Sequence, residues 1–292
     1  MSRRLTPRGS TSAIRTALYA AALLAGACVT PSAPASAQGG TTLAAHRAVY
    51  DLTLSKIRGK RSVEVVRGRI LYDFSGSACE GYALQFRQVS EIDSGEGKRA
   101  LSDLRASTFE DGAGESFRFN SENKVNERVA DSVDGHADRG AAGIGVTLAK
   151  PKTKSFNLDA KVAFPTQHMI RIIEAAKAGK TLLELPVFDG SETGEKVFST
   201  LTVIGHEIAP DQKKPDDAAA GIAALAGMRR WPVTISYFEQ GNKTDGEQTP
   251  VYAIGFELYE NGISRALSLD YGDFVVTGNM SQLELKSTPA CK

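Results

Sequence analysis

The side chains able to do chemistry are few and widely spaced. Four histidines, His46, His136, His168 and His206, stand in 292 residues. No cysteine pair and no His-Glu-x-x-His stretch joins any of them into a zinc signature. His206-Glu207 lacks the second histidine four residues on that would put two imidazoles on one helix face. Gly190-Ser191-Glu192-Thr193-Gly194 carries glutamate where a nucleophile elbow needs serine. Ala178-Gly179-Lys180-Thr181 imitates the end of a phosphate loop, but Glu174 occupies the place of the first glycine. That segment also follows a helical pattern instead of opening one, so no backbone amides are aimed at a phosphate.

The remaining route to catalysis is a set of groups assembled by the fold, Asp189, Glu192 and Glu195 with His206, acting as general acid and base on an envelope polymer. Charges this dense more often form a solvated face, and Asp189-Gly190 is a favoured turn pair. The expectation is therefore a protein that is not an enzyme, with no catalytic residues, no metal ligands and no cofactor. Two other residue types carry binding or cross-linking chemistry. Trp231, the single tryptophan, starts a β-favouring run, where it packs into a core or forms one wall of a ligand cavity. Cys79 and Cys291 are the other pair, and their meaning depends on the compartment.

The first forty residues address that point. Arg3, Arg4, Arg8 and Arg15 precede the apolar run Ala17–Val29, and small residues follow up to Ala35-Ser36-Ala37. This is the order of parts in a secretory signal peptide, and a run this short falls below the ~20 residues of a membrane-spanning helix. Residues 1–37 are expected to be removed by cleavage after Ala37, which leaves no transmembrane span in the mature chain. A lipoprotein through Cys28 is the alternative, set against by Ala25 where a lipobox usually has leucine. A twin-arginine signal from Arg3-Arg4 is disfavoured by Thr6 and Pro7 behind the pair. The mature chain, 38–292, holds two cysteines, and an even count in an oxidising compartment points to a Cys79–Cys291 disulfide. By chain-entropy arithmetic so long a closed loop allows up to about 5 kcal/mol of stabilisation. The mature chain has 31 basic against 34 acidic side chains. Without a basic stripe, nucleic acid is not an expected partner.

The elements that must position these residues are strands. Tyr82, Leu84 and Phe86 alternate with Ala83, Gln85 and Arg87, and Phe117 and Phe119 with Arg118 and Asn120, so each run offers one apolar and one polar face. Similar runs recur over 43–154, 182–188, 196–206, 231–238, 251–260, 264–277 and 282–286. Asn261-Gly262 reads as the turn of a long hairpin, 251–277. One amphipathic helix is expected at about 166–179, with Met169, Ile172, Ile173 and Ala176 on its apolar side, Thr166 as N-cap and Gly179 as stop. Segment 210–228 reads as a short helix, at about 216–227, or as a loop. The fold class is mainly β, with about 14 antiparallel strands. One-sided strands in that number are buried by two sandwiches or by one sheet curled into a spiral or open barrel.

Several of these features in order resemble the cell envelope integrity protein EipB family of periplasmic proteins. They are the export signal, the β-rich first half, Phe164-Pro165-Thr166-Gln167-His168 opening the helix, Phe188-Asp189-Gly190-Ser191, and a cysteine near each end of the mature chain. The resemblance implies a single β-spiral domain over 38–292, closed by a disulfide that Cys79 and Cys291 would supply. It implies a periplasmic role in keeping the envelope intact and brings no catalytic residues. The expected partner is a lipid-like ligand or an envelope protein held on the curved sheet of a monomer. A purely structural envelope protein is the remaining alternative.

Overall fold

A computed structural model describes residues 40–58, 63–95, 98–212, 214–240 and 248–288. Among them fourteen strands form one sheet. In chain order the first eight are β1 (His46–Ile57), β2 (Val65–Ser77), β3 (Gly81–Asp93), β4 (Arg99–Glu110), β5 (Ser116–Val125), β6 (Arg128–Gly140), β7 (Gly143–Lys150) and β8 (Lys154–Leu158). Helix α1 (Pro165–Lys177) interrupts, and β9 (Leu182–Val187), β10 (Phe198–Ile204), β11 (Arg230–Glu239), β12 (Tyr252–Tyr259), β13 (Ser264–Asp270) and β14 (Phe274–Leu285) complete the series. The spatial order runs β8 to β1, then β14 to β9, with every neighbouring pair antiparallel. The first and last strands pair with each other, and the open edges are β8 and β9, the two strands that flank α1 in sequence. The sheet is therefore curled but not closed, as a mainly β spiral or open barrel requires. Ala163, just before α1, makes a parallel bridge to Val187 on the β9 edge, so part of that edge is already occupied.

The curl follows from alternation. Along β10, Phe198, Thr200, Thr202 and Ile204 are buried and Ser199 and Val203 exposed; along β5, Phe117 and Phe119 are buried and Arg118 and Asn120 exposed. A sheet with one apolar face must bury it, and this one does so on itself and on α1. The larger core unites β1–β3, β10–β14 and the Ile172/Ile173 face of α1. A smaller one gathers Phe117, Phe119, Phe164 and Phe188 with Val133, Ile144, Val146 and Leu148.

Two local expectations need correction and a third is sharpened. Thr166 is not the N-cap of α1: Phe164 is, with no side-chain cap of its own, and Pro165 takes the first helical position, where a missing N–H costs nothing. The orphan amides are satisfied instead by Glu110 at the end of β4, whose carboxylate accepts from Thr166 N at 2.7 Å and Gln167 N at 2.9 Å. The hairpin 251–277 is two turns, not one. Asn261-Gly262 does join β12 to β13, with only Gly262 at positive φ, +88°, but Gly272, φ +81°, ends β13 and β14 begins at Phe274. Segment 210–228 forms two 3₁₀ turns, Ala218–Gly221 and Ala223–Leu225, and no α-helix.

The helix stop does fall at Gly179. It has φ +71°, and Gly179 N donates to Ala176 O and Lys180 N to Ala175 O, a Schellman ending. The 3₁₀ segment is tied down by charge. Arg265, 3% exposed, donates to Asp216, Asp217 and Glu257, and the equally buried Arg230 donates to Glu257 at 2.8 Å. Burying two guanidiniums is tolerable only because each is paired with carboxylate.

Candidate functional site

The concave side of the sheet is not filled. Two chambers of about 240 and 220 Å³ lie against α1. They share His46, Tyr72, Met169, Ile235 and Tyr237 as walls and so adjoin one another. Strand alternation aims these side chains inward from β1, β2 and β11, while Met169 comes from the face of α1 that looks into the spiral.

Aromatic rings line both sides of the space. On one side His46 stacks on Tyr72 at 5.5 Å, Tyr72 on Phe74 at 6.2 Å and Phe74 on Tyr82 at 5.5 Å. On the other, Tyr237 meets Tyr252 at 6.0 Å, and beyond the chamber walls the series continues through Tyr271 and Phe274. The chamber farther from the helix start is walled by Ile70, Phe86, Ile254, Phe256, Leu267 and Leu269. The chamber beside the helix start is more polar, with Thr108, Thr166, His168, Asp189 and Asn261.

Polar atoms in this space divide by whether the protein satisfies them. Tyr50 Oη donates to Ser264 O at 2.7 Å. The hydroxyls of Tyr72, Tyr237 and Tyr252 have no hydrogen-bond partner among the described residues. All three lie deep in the protein yet keep part of their surface accessible, as walls of an internal space do. Burial raises each phenol, Tyr72 to about 12, so all are neutral donors.

The imidazoles are neutral too. His168, 4% exposed, is lowered to about 4 by burial and then by Arg171, and its Nε2 stands 3.4 Å from Thr200 Oγ1. His46 is lowered by burial, and its Nδ1–H donates to Ala44 O at 2.7 Å. The Asp189 carboxyl is raised, first by burial, and Ser191 N donates to its Oδ1 at 2.9 Å. The Asp-Gly turn expected there is present, with Gly190 at φ +67°. Sequence reading did not anticipate that the same aspartate would face the cavity.

At the mouth of the polar chamber α1 is held from two distant strands. Besides Glu110, which burial pushes up to about 7, Arg139 on β6 donates to Ala160 O, Val162 O and Gln167 Oε1, with its guanidinium 5.3 Å from the Phe164 ring. Neither residue has a local sequence signature, because Glu110 caps the helix from a remote strand and Arg139 ties down the segment before it from another.

Of the residues singled out by sequence, Trp231 is 3% exposed on β11 and packs in the larger core, with Arg229 over its ring at 5.4 Å. Cys79 lies in the β2–β3 turn and is disulfide-bonded; Cys291 and Cys28 lie outside the described residues. The four groups considered for polymer chemistry do not share a site. Glu192 is ion-paired with Lys196 and Glu195 with Lys154. His206 is exposed beyond the far end of β10, a seven-residue strand about 20 Å long that separates it from the carboxylates. Among the described residues no group of three or more His, Cys, Asp or Glu side chains could hold a metal ion, and no helix is long and apolar enough to cross a membrane.

Comparison with known proteins adds to this geometry. The family model described as EipB-like matches residues 37–287. The cell envelope integrity protein EipB of Brucella abortus (strain 2308) is 38% identical over 254 residues, 87% of this chain and 88% of the relative. A crystal structure of a beta-barrel-like protein of domain of unknown function DUF1849 from Brucella abortus superposes with a TM-score of 0.78 at 36% identity, over 85% of this chain and all of the other. A curled sheet that begins and ends around one helix, matched by a family model along nearly its whole described length, places this chain in the EipB-like family.

Proposed function

We propose that this chain is a non-enzymatic periplasmic protein, exported and cut after Ala37, that helps maintain the cell envelope by holding a lipid-like ligand inside the curl of its sheet. Membership of a family whose named relative is a cell envelope integrity protein supports the envelope role. The observation that carries the binding role is the pair of adjoining chambers, walled by aliphatic and aromatic side chains and holding three phenols that have no partner among the described residues. A well-formed apolar cavity with a few convergent polar groups is what small-ligand sites look like. A purely structural protein would have filled that space, since interiors otherwise pack as densely as organic crystals.

Residues 38–292 act as a single domain in this reading, and Cys79 pairs with Cys291 to pin the C-terminus near the β2–β3 turn. Mass spectrometry of the exported protein should then show a gain of about 2 Da on reduction. Two free thiols in the exported form would remove the bridge from the proposal.

The binding role is tested by native mass spectrometry and solvent extraction of protein purified from the envelope without detergent. The expected result is a co-purifying lipid-like component. Met169→Trp, which pushes an indole into both chambers, should lose it. An unoccupied wild-type protein that also fails to take up a fluorescent acyl-chain probe would overturn the proposal. A tightly retained envelope protein in place of a small ligand would move the function to the outside of the sheet.

A further inference from the structure

Resting on that reading, the charges around the cavity narrow the ligand. We infer that the cavity takes a single-chain amphiphile whose polar end carries no negative charge, such as a glycerol monoester or a primary amide. On this reading it does not take a fatty-acid anion or a phosphate-headed lipid.

The argument begins with what is missing from the walls. Among the described residues no lysine or arginine lines either chamber. This is not a shortage of cations in the protein, because the outer face of β1–β4 alone presents Arg47, Arg69, Arg87, Arg99 and Arg105, each paired with a nearby aspartate. Cations are kept off the chamber walls, and the two buried guanidiniums, Arg230 and Arg265, are spent on carboxylates elsewhere. An anionic head brought into the cavity would lose its hydration and meet no counter-charge, a cost of several kcal/mol. Two histidines stand in the walls, but burial holds both neutral near pH 7. The acidic side chain in the polar chamber, Asp189, would repel an anion further, and its field already reaches the phenol of Tyr237.

What is present fits an uncharged head. Tyr72 and Tyr237 line both chambers, each with a hydroxyl hydrogen that has no acceptor among the described residues. An ester or amide carbonyl placed there would accept from them. Both tyrosines keep part of their surface accessible, so an entering carbonyl can reach their hydroxyls. On one side of these tyrosines the chamber walled by Ile70, Phe86, Ile254, Phe256, Leu267 and Leu269 suits a chain. On the other, Asp189, Thr108 and Asn261 offer acceptors to the hydroxyl or N–H hydrogens that a glycerol or amide head carries. A carboxylate could also accept from these phenols, so selectivity arises from Asp189 and from the absence of a counter-cation among the described wall residues.

The experiment is displacement of a bound fluorescent acyl probe from the full mature protein, at pH 7.5 and below micelle-forming concentrations. The competitors share one C18:1 chain: monoolein, oleamide, oleate and lysophosphatidylglycerol. The expected result is that monoolein and oleamide displace at concentrations at least tenfold lower than oleate and lysophosphatidylglycerol. Asp189→Asn should narrow that gap severalfold by helping the anions, whereas Tyr237→Phe should weaken the neutral pair. Because the series on unmodified protein decides the matter, a variant that fails to fold leaves the answer intact. Equal or tighter binding of the anionic lipids would overturn the charge selectivity while leaving a lipid-binding protein. No binding of the probe or of any competitor would remove both.

Discussion

Two aromatic clusters flank the start of α1 and are built to opposite ends. Phe117, Phe119, Phe164 and Phe188 are at most 4% exposed, with Phe117 stacked on Phe164 at 5.1 Å and Phe119 edge-on to Phe188 at 5.4 Å. They leave no room between them. His46, Tyr72, Tyr82, Tyr237 and Tyr252 stack at similar ring distances yet enclose hundreds of cubic ångströms. The difference is chemical before it is geometric. A phenylalanine ring carries no polar atom and can pack dry on every side, whereas a tyrosine hydroxyl needs a partner or a space that a partner can enter. The solid cluster also stands where the chain enters and leaves the helix region, since Phe164 directly precedes α1 and Phe188 directly follows β9. It holds the frame within which the hollow cluster stays open.

The sharpest way to break this comparison is to hollow the solid side. Phe188→Ala or Phe117→Ala removes a fully buried ring from a cluster with no room to adjust, and each should cost about 3–5 kcal/mol in chemical denaturation. A loss below about 1 kcal/mol would mean that the cluster is not packed as described and that the two sides are alike.

The next effect comes from the seam between the clusters, where Glu110 clasps the α1 start and His168 looks into the polar chamber. Burial raises Glu110 to about 7, so its contribution to stability is full below its ordinary 4.5 and is lost as pH rises through 7, by up to about 3 kcal/mol. His168 is lowered to about 4, so its contribution is full above 6.5 and is lost as pH falls through 4, by a similar amount. Between pH 4.5 and 6.5 the two slopes oppose, and their joint contribution should be nearly flat. Glu110→Gln should leave a stability that falls as pH drops, and His168→Gln one that falls as pH rises. Parallel profiles for both variants would show that neither group titrates as its surroundings require.

The solid side was more legible from sequence than the hollow one. Alternation of apolar residues announced the strand count and the one-sided sheet, because a strand's two faces are written into every second residue. Gly179 announced the helix stop through a backbone angle that glycine adopts freely. The helix start was misread, since the side chain that satisfies its amides belongs to Glu110, 56 residues before Thr166, and a cap donated from another strand leaves no local trace. The cavity was invisible for a related reason. In Ile70-Leu71-Tyr72-Asp73-Phe74 the tyrosine occupies an inward position like any core residue, and only the curl of the sheet decides whether it meets a neighbour or a gap. The buried pair Arg230 and Arg265 was missed likewise, because their carboxylates come from β12 and the 3₁₀ segment.

The smallest effects discriminate most finely within the hollow side itself. Tyr50 and Tyr72 enter the same interior from neighbouring strands, but Tyr50 Oη has a protein acceptor, Ser264 O at 2.7 Å, and Tyr72 Oη has none. Removing the Tyr50 hydroxyl forfeits a made hydrogen bond and leaves a buried carbonyl short of a donor, so Tyr50→Phe should cost about 1 kcal/mol. Removing the hydroxyl of Tyr72, Tyr237 or Tyr252 forfeits nothing in the unliganded protein. Those Tyr→Phe variants should therefore change stability by no more than about 0.5 kcal/mol, and any gain would come from deleting an unsatisfied donor. Probe binding should order them the other way, with Tyr72→Phe and Tyr237→Phe weakening a carbonyl-bearing ligand severalfold and Tyr50→Phe leaving it unchanged. If all four variants lose the same stability, the phenols are satisfied within the protein, and the hollow cluster is a core like the one beside it.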